Sequence, residues 1–484
     1  MELELRLDPD DASRLPRLPI LASAVRGRPQ QQRIVWHDSP DAALTLRGLA
    51  LGRERGAWRL EKLVPEATDA WPPGAPPPVL AQAAEFSDLG DDLPTPLAPV
   101  VAFAGRLRVF GLETAQGAVT LGLSQGTLRC VTDEHLASRV YLSGDDRAVL
   151  HLALALAGEV RAEAPSATLA GEALAAARGA HPAPHRLGAP ALSEGVGVAE
   201  AFAFVLAHLT DVVLHFAPAV VDDERGPEPV HQMRVALRRL RSAIAVFRRV
   251  LDCPELQAAN AGLKALSARL GPTRDWDVFL GETAPAVRAG FPGEPKLARL
   301  IAAGERRRRE CHAALRDFLR SAEFRQLGIA LAWLASARSW YPALAEGADQ
   351  RVSLQDFAAD VLDRRLRKLV GADDIAGLGT AELHALRLKA KRMRYAAEIF
   401  ATLYPGKGPR RFIHRLATVQ DGLGQLNDRA TAEKLLAELG GIGGRHAYAA
   451  GLVLGFVAAG TTTDVFPRVM RRWEKFQRAA AFWE

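Results

Sequence analysis

A chain of 484 residues is too long for one average hydrophobic core, so two or three domains are expected. Its 48% hydrophobic and 24% charged residues are those of a globular protein and exclude general disorder. A formal net charge of +6 and a pI near 9.4 favour anionic partners without choosing among nucleic acid, phosphate polymer and membrane.

The opening MELELRLDPD is charged from its second residue, unlike the apolar run of a signal peptide. Strand patterns follow at residues 2–7, 33–37, 58–63, 105–110, 118–123 and 139–142, several alternating in polarity as half-buried strands do. The run WPPGAPPP at 71–78 reads as a loop within this region, and a helical stretch at 145–159 closes it. RGAHPAPHRLGAPALSEGVG then reads as an interdomain linker. These signals divide the chain into an N-terminal domain at 1–178, a Pro/Gly-rich linker at 179–196 and an all-α domain at 197–484. His181 and His185 lie in the linker without further ligands, so a metal site is not expected there. The longest apolar stretch, Ala447–Gly460, is shorter than the ~20 residues a spanning helix needs and reads as a buried core helix. Cys130, Cys253 and Cys311 are odd in number and far apart, which fits no disulfide framework or zinc site and points to a reducing, cytoplasmic compartment.

The helical domain contains a repeat. HQMRVALRRLRSAIAVF, from His231 to Phe247, recurs as HALRLKAKRMRYAAEIF, from His384 to Phe400. LGPTRD, ending at Asp275, recurs as LGQLND, ending at Asp428. Each pair of ends is 153 positions apart, and one offset shared by two blocks indicates two copies of one helical unit.

On a helix turning about 100° per residue, Arg234, Arg238 and Arg241 stack with His231 on one face. Met233, Leu237, Leu240, Ile244 and Phe247 occupy the opposing, core face. The second copy places His384, Arg387, Lys391 and Arg394 in an equivalent stripe, with Leu386, Met393, Ala397 and Phe400 as core. Like charges one turn apart repel, so such a column does not stabilise its own helix. No acid occurs between His231 and Val250, and Glu398 is the only one between His384 and Phe400. A duplicated column of this kind calls for an external polyanion, which arginine forks grip in bidentate fashion and lysine meets as a compact charge. Each histidine, opening its column, is placed to donate to phosphate. Neither a carboxylate pair nor a nucleophile–base set accompanies the stripes, so no catalytic, metal or cofactor site is read there. The run Arg306 to Arg309, and Arg410, Arg411 and His414, do not repeat at the same offset and read as solvated faces.

At these residues the sequence resembles the CHAD family, the conserved histidine α-helical domain, over about residues 196–484. The resemblance implies two pseudo-twofold-related four-helix bundles around a basic surface that binds inorganic polyphosphate, and it adds Lys264 on the following helix. The position matching Lys264 in the second copy is Ala417, so the symmetry is incomplete there. The N-terminal part resembles a CYTH domain, the triphosphate tunnel fold, which implies an α+β β-barrel or tunnel. ELELR matches its opening E-x-E-x-K strand with Arg6 for lysine, and WHDSPDAALTLRGLAL and SGDDRAVLHLALAL match later segments. Departures point to a degenerate, non-catalytic domain. Leu51-Gly52-Arg53-Glu54 replaces an L-R-V-R run, Ser124, Ser138 and Val140 stand at acidic positions, and Leu142 stands at the lysine. Glu2 and Glu4 alone cannot hold two metal ions.

The expected function is therefore polyphosphate binding, in the cytoplasm or at polyphosphate or storage granules within it, with no cofactor. One alternative is a triphosphate or polyphosphate hydrolase run by the CYTH-like domain. Another is a nucleic-acid-binding protein, disfavoured because Phe247 and Phe400 face the core and leave no stacking aromatics among the cations.

Overall fold

A computed structural model of the protein describes residues 2–63, 82–83, 96–130, 133–180, 187–193, 195–222, 226–336, 353–371, 375, 377–441, 443–460 and 465–484. The expected loop at 71–78, and His181 and His185, lie outside these residues. So do the side chains of residues 425–429, which include Asp428.

The N-terminal region is an antiparallel sheet of β1 (Glu2–Leu7), β2 (Val25–Arg26), β3 (Gln30–Asp38), β4 (Leu49–Glu54), β5 (Ala57–Lys62), β6 (Gln82–Ala83), β7 (Ala98–Thr114), β8 (Gly117–Arg129), β9 (Glu134–Gly144) and β10 (Ala162–Glu163). The strand order is β10-β1-β9-β8-β7-β3-β4-β5-β6, with β2 also on β7. Alternation sends Leu3, Leu5 and Leu7 of β1, with Leu121 of β8 and Val140 and Leu142 of β9, into the core. The tight β4–β5 turn runs through Arg55 and Gly56, both at positive φ, as a two-residue hairpin loop requires.

The expected closed barrel or tunnel is corrected here: the sheet is open among the described residues. Its path ends on β6 and β10, two residues each, and strands that short cannot carry the ladder that would close a ring. The sheet is instead covered by helices. On one face, α2 (Asp146–Glu159) follows β9, and on the other α3 (Leu169–Ala177) lays Leu169, Ala170, Ala173 and Leu174 against Trp36, Phe103 and Leu128.

The helical region comprises α4 (Val198–Asp222), α5 (Glu228–Phe247), α6 (Pro254–Val278), α7 (Ala284–Gly290), α8 (Pro295–Arg320), α9 (Ala322–Ser336), α10 (Leu354–Val370), α11 (Thr380–Phe400), α12 (Gly408–Glu438), α13 (Ala447–Gly460) and α14 (Val465–Gln477); α1 (Ala43–Leu46) is a short turn in the sheet region. The boundaries of α4, α5 and α6 recur in α10, α11 and α12 near the 153-residue offset, and α5 and α11 end on the matching residues Phe247 and Phe400. Those two rings lie 5.9 Å apart, with Phe357 of α10 at 5.3 Å from Phe247 and 6.1 Å from Phe400.

Two apolar helices differ from expectation. α4 is the longer one and passes the length and composition test for a membrane span, but 78% of its most apolar window is buried inside the protein. It is apolar all round because it is surrounded by protein, α5 and α9 among its neighbours. By contrast α13, expected as a buried core helix, is only half-buried: Ala449, Ala450 and Val453 face the core while Tyr448 is exposed. The sheet and helical regions share one apolar cluster. Arg325 and Gln326 of α9 donate to the carbonyls of Ala157 and Leu154 in α2, and the Trp333 indole donates to that of Asp146.

Candidate anion-binding surface

Helices α5 and α11 pack against each other, and their amphipathic patterns decide what each presents. Met233, Leu237, Leu240, Ile244 and Phe247 are all buried, as are Leu386, Met393, Ala397 and Phe400. Burying these rows forces the cationic rows out of the core, where Arg234, Arg238, Arg241, Arg387, Lys391 and Arg394 sit half-buried. The two stripes also converge. Burial and then Arg387, Arg238, Arg234 and Arg394 hold the Lys391 ammonium down at about 8, from an ordinary 10.5. Two of those four come from the other helix. Burial likewise lowers the Arg238 guanidinium; Tyr395 opposes this, while Arg234, Arg394 and Arg239 add to it.

The guanidinium groups are held in different ways. Arg234 donates to the Gly271 carbonyl at 3.0 Å and pairs with Asp275 at 3.2 Å, both on α6. Asp275 ends the repeated LGPTRD block, so the second repeated motif serves to anchor a cation of the first. Arg239 of α5 donates to Glu398 of α11 at 3.1 Å, and Arg394 lies 3.3 Å from the other oxygen of the same carboxylate. Glu398 thus ties the helices together and offsets part of the second stripe. By contrast the Nε groups of Arg238, Arg241 and Arg387 are buried without a hydrogen-bond acceptor among the described residues. A buried donor left unmade costs free energy.

Histidine placement is less symmetric than the repeat. His231 is half-buried, and burial and Arg274 push its imidazole below the ordinary value. Glu228 opposes them, while Arg238 and Arg234 lower it further. The shift favours its neutral form, which donates from one ring nitrogen only. His384, on the first turns of α11, is exposed. Lys264 on α6 is exposed too. Arg239, Arg274, Asp275 and Tyr395 were not singled out by the stripe pattern, since they touch it from other angles or other helices. Of the remaining basic groups, Arg307 pairs with Glu310 and Glu438, and Arg308 with Asp277 and Glu305. Arg410, Arg411 and His414 are exposed on α12.

In the sheet region Glu2 is exposed, while Glu4 is 3% exposed and accepts from Arg139 at 2.8 Å and from the Leu169 amide at 2.8 Å. Arg139 also binds Glu172. Burial pushes the Glu4 carboxyl up to about 7, against the pull of Arg139. Ser124 donates to Gln32 at 2.6 Å, and Gln32 to Glu54 at 3.2 Å. Val140 and Leu142 are core residues, Ser138 is buried, and Arg6 lies 3.9 Å from Glu163. The Trp36 indole lies over Gly52 of the L-G-R-E run.

Residues 203–437 match the family model of the CHAD domain. The crystal structure of the CHAD domain from the plant Ricinus communis is similar at 29% sequence identity and a TM-score of 0.52, covering 62% of this chain and 98% of that chain. PptA from Streptomyces chartreusis aligns at 17% identity and a TM-score of 0.42, over 58% of this chain and 100% of that one. No curated protein matches the chain.

Proposed function

The chain carries a CHAD domain at residues 203–437, and from that premise we propose that it binds inorganic polyphosphate on the surface between α5 and α11. The observation that carries this reading is the convergence of the two stripes at Arg238 and Lys391. They are matching residues of the two copies, half-buried, and the groups pressing on Lys391 are all cations. Concentrated charge of this kind, only partly offset by Asp275 and Glu398, is relieved by a polyanion. The half-buried guanidinium groups of Arg238, Arg241 and Arg387 supply hydrogen-bond donors for its oxygens. His231, Arg234, Arg394, His384 and Lys264 extend the surface along the chain of phosphates.

In the same reading the helical region is two pseudo-twofold-related four-helix bundles. The recurring boundaries of three helices support this, as does the contact of Phe247 with its counterpart Phe400, since residues that meet their own counterparts lie near a twofold axis. The sheet region is a degenerate, non-catalytic CYTH-like domain. Of the two carboxylates on its opening strand, Glu4 is committed to Arg139 rather than exposed to a metal ion.

The test is binding of long polyphosphate to the full chain, with duplex DNA as competitor, across a salt series. Neutralising a linear polyanion releases its counterions, so affinity should fall steeply with salt. Charge reversal by Arg238→Glu with Lys391→Glu should abolish most of the affinity and flatten that slope, whereas Arg306→Glu with Arg309→Glu should change little. Orthophosphate should compete poorly, because it gains nothing from linkage. Equal effects of the two double variants, or equal affinity for DNA, would replace a dedicated site with a diffuse basic surface.

A further inference from the structure

A second concentration of positive charge lies outside the duplicated stripes. The end of α5, the C-terminal half of α10 and the middle of α11 enclose a cavity of about 610 Å³, within the usual size of small-molecule sites, ~300–1,000 Å³. Arg249 enters it from beyond α5, Arg364, Arg365, Arg367 and Lys368 from α10, and Lys389 and Arg392 from α11. The rest of its described lining is Ala245, Val246, Val361 and Gly371, so no carboxylate faces it among the described residues. Some of the charge has a local account. Arg364 pairs with Asp360 one turn earlier, and Arg367 and Lys368 occupy the last turn of α10, where cations favour the helix dipole. Lys389 and Arg392 sit mid-helix, where the dipole does not explain them. Arg365 donates to the Arg392 carbonyl. Burial, with Arg392 and Arg249 adding to it, holds the Arg365 guanidinium down at about 10 from an ordinary 12.5.

Duplication does not explain the cavity either. The positions 153 residues before Arg364, Arg365, Lys368 and Lys389 are Asp211, Val212, His215 and Ala236. In the first copy α4 packs on α9, and Asp211 and Val212 are buried. Of the seven cations lining the cavity, only Arg392 matches a first-copy arginine or lysine, Arg239, and Arg249 comes from the first copy itself, so most of the basic lining is not a repeated feature. It lies on the side of α11 opposite the Lys391 stripe, since Lys389 and Arg392 point away from that row at about 100° per residue.

We propose that this cavity is a separate binding site for a compact anion carrying several phosphate groups. Several cations converging on one bounded, partly apolar space suit a short condensed phosphate, whose closely spaced charges meet Arg365, Lys389 and Arg392 together. A single orthophosphate reaches only some of them. The proposal does not depend on the stripe between α5 and α11, and the two separate in one experiment.

Tripolyphosphate binding to the full chain is measured calorimetrically at low salt. Wild-type protein should show two classes of site. Lys368→Glu with Arg392→Glu should remove one class, weakening it at least tenfold, while Arg238→Glu with Lys391→Glu removes the other. Unchanged thermal unfolding of each variant, and a graded loss with Lys368→Gln and Arg392→Gln, distinguish lost contacts from a damaged fold. Wild-type stoichiometry and affinity in the Lys368/Arg392 variants would overturn the site, as would complete loss of binding on reversing Arg238 and Lys391 alone. Loss confined to the Lys368/Arg392 variants would uphold the cavity and refute the stripe.

Discussion

Lys391 provides a quantitative check on the converging stripes. Its ammonium is held at about 8 by burial and by Arg387, Arg238, Arg234 and Arg394. At pH 7 it is about nine-tenths protonated and at pH 9 about one-tenth. A polyphosphate bound against it reverses the local field and returns it toward the ordinary 10.5. Binding then takes up a proton at alkaline pH, so affinity must fall as pH rises through 8. For a free value near 8 and a bound value near 10.5, linkage gives about tenfold weaker binding at pH 9 than at pH 7. Long polymer is the ligand of choice, because its internal phosphates do not titrate in this range. Calorimetry at pH 8 in two buffers of very different ionisation heat should report uptake of about half a proton per site. Lys391→Arg should keep affinity at pH 7 and remove both the uptake and the pH dependence. Lys391→Gln should remove the pH dependence and weaken binding at pH 7. Affinity that stays flat from pH 7 to 9 in the wild-type protein, or a slope that survives in Lys391→Arg, would refute the argument.

Three further outcomes follow from the packing. Arg139→Met should cost about 1–3 kcal/mol in urea unfolding, because it removes the hydrogen-bonding partner of the buried Glu4 carboxyl, which then takes up a proton; a loss below about 1 kcal/mol would mean that the pair is not structural. The full chain with magnesium or manganese should release phosphate from tripolyphosphate no faster than buffer does. Turnover that Glu2→Gln abolishes would restore the hydrolase reading. The intact chain is the right material, because α2 packs into α9 and the two regions share a core. Phe400→Ala should cost about 3–5 kcal/mol in thermal or urea unfolding, since the ring is fully buried against Phe247 and Phe357. A smaller loss than that of an exposed control such as Leu388→Ala would show that the Phe cluster does not hold the two copies together.

The strands at the start of the chain, the helices after residue 197 and the faces of α5 and α11 were legible in sequence because each rests on local periodicity. Alternation of polarity assigns Leu3, Leu5 and Leu7 to one side of a strand wherever that strand ends up, and a 3.6-residue period does the same for Met233, Leu237 and Leu240. The 153-residue repeat is equally independent of packing. Sheet closure was not legible, because it depends on which strands form the two edges; among the described residues these are β6 and β10. Nor were the partners of the charges. Asp275 reaches Arg234 from another helix, Glu398 meets Arg239 across 159 positions, and Glu4 meets Arg139 across 135. The basic cavity on the far side of α11 is likewise assembled from three segments that no local pattern connects. The energy of a charge depends on its neighbours' distance and on how far water is excluded, and both are set by long-range packing. Sequence alone therefore determined that two cationic stripes exist. Only the tertiary structure decided that they converge, which of their cations are neutralised, and that a second basic site lies on the far side of α11.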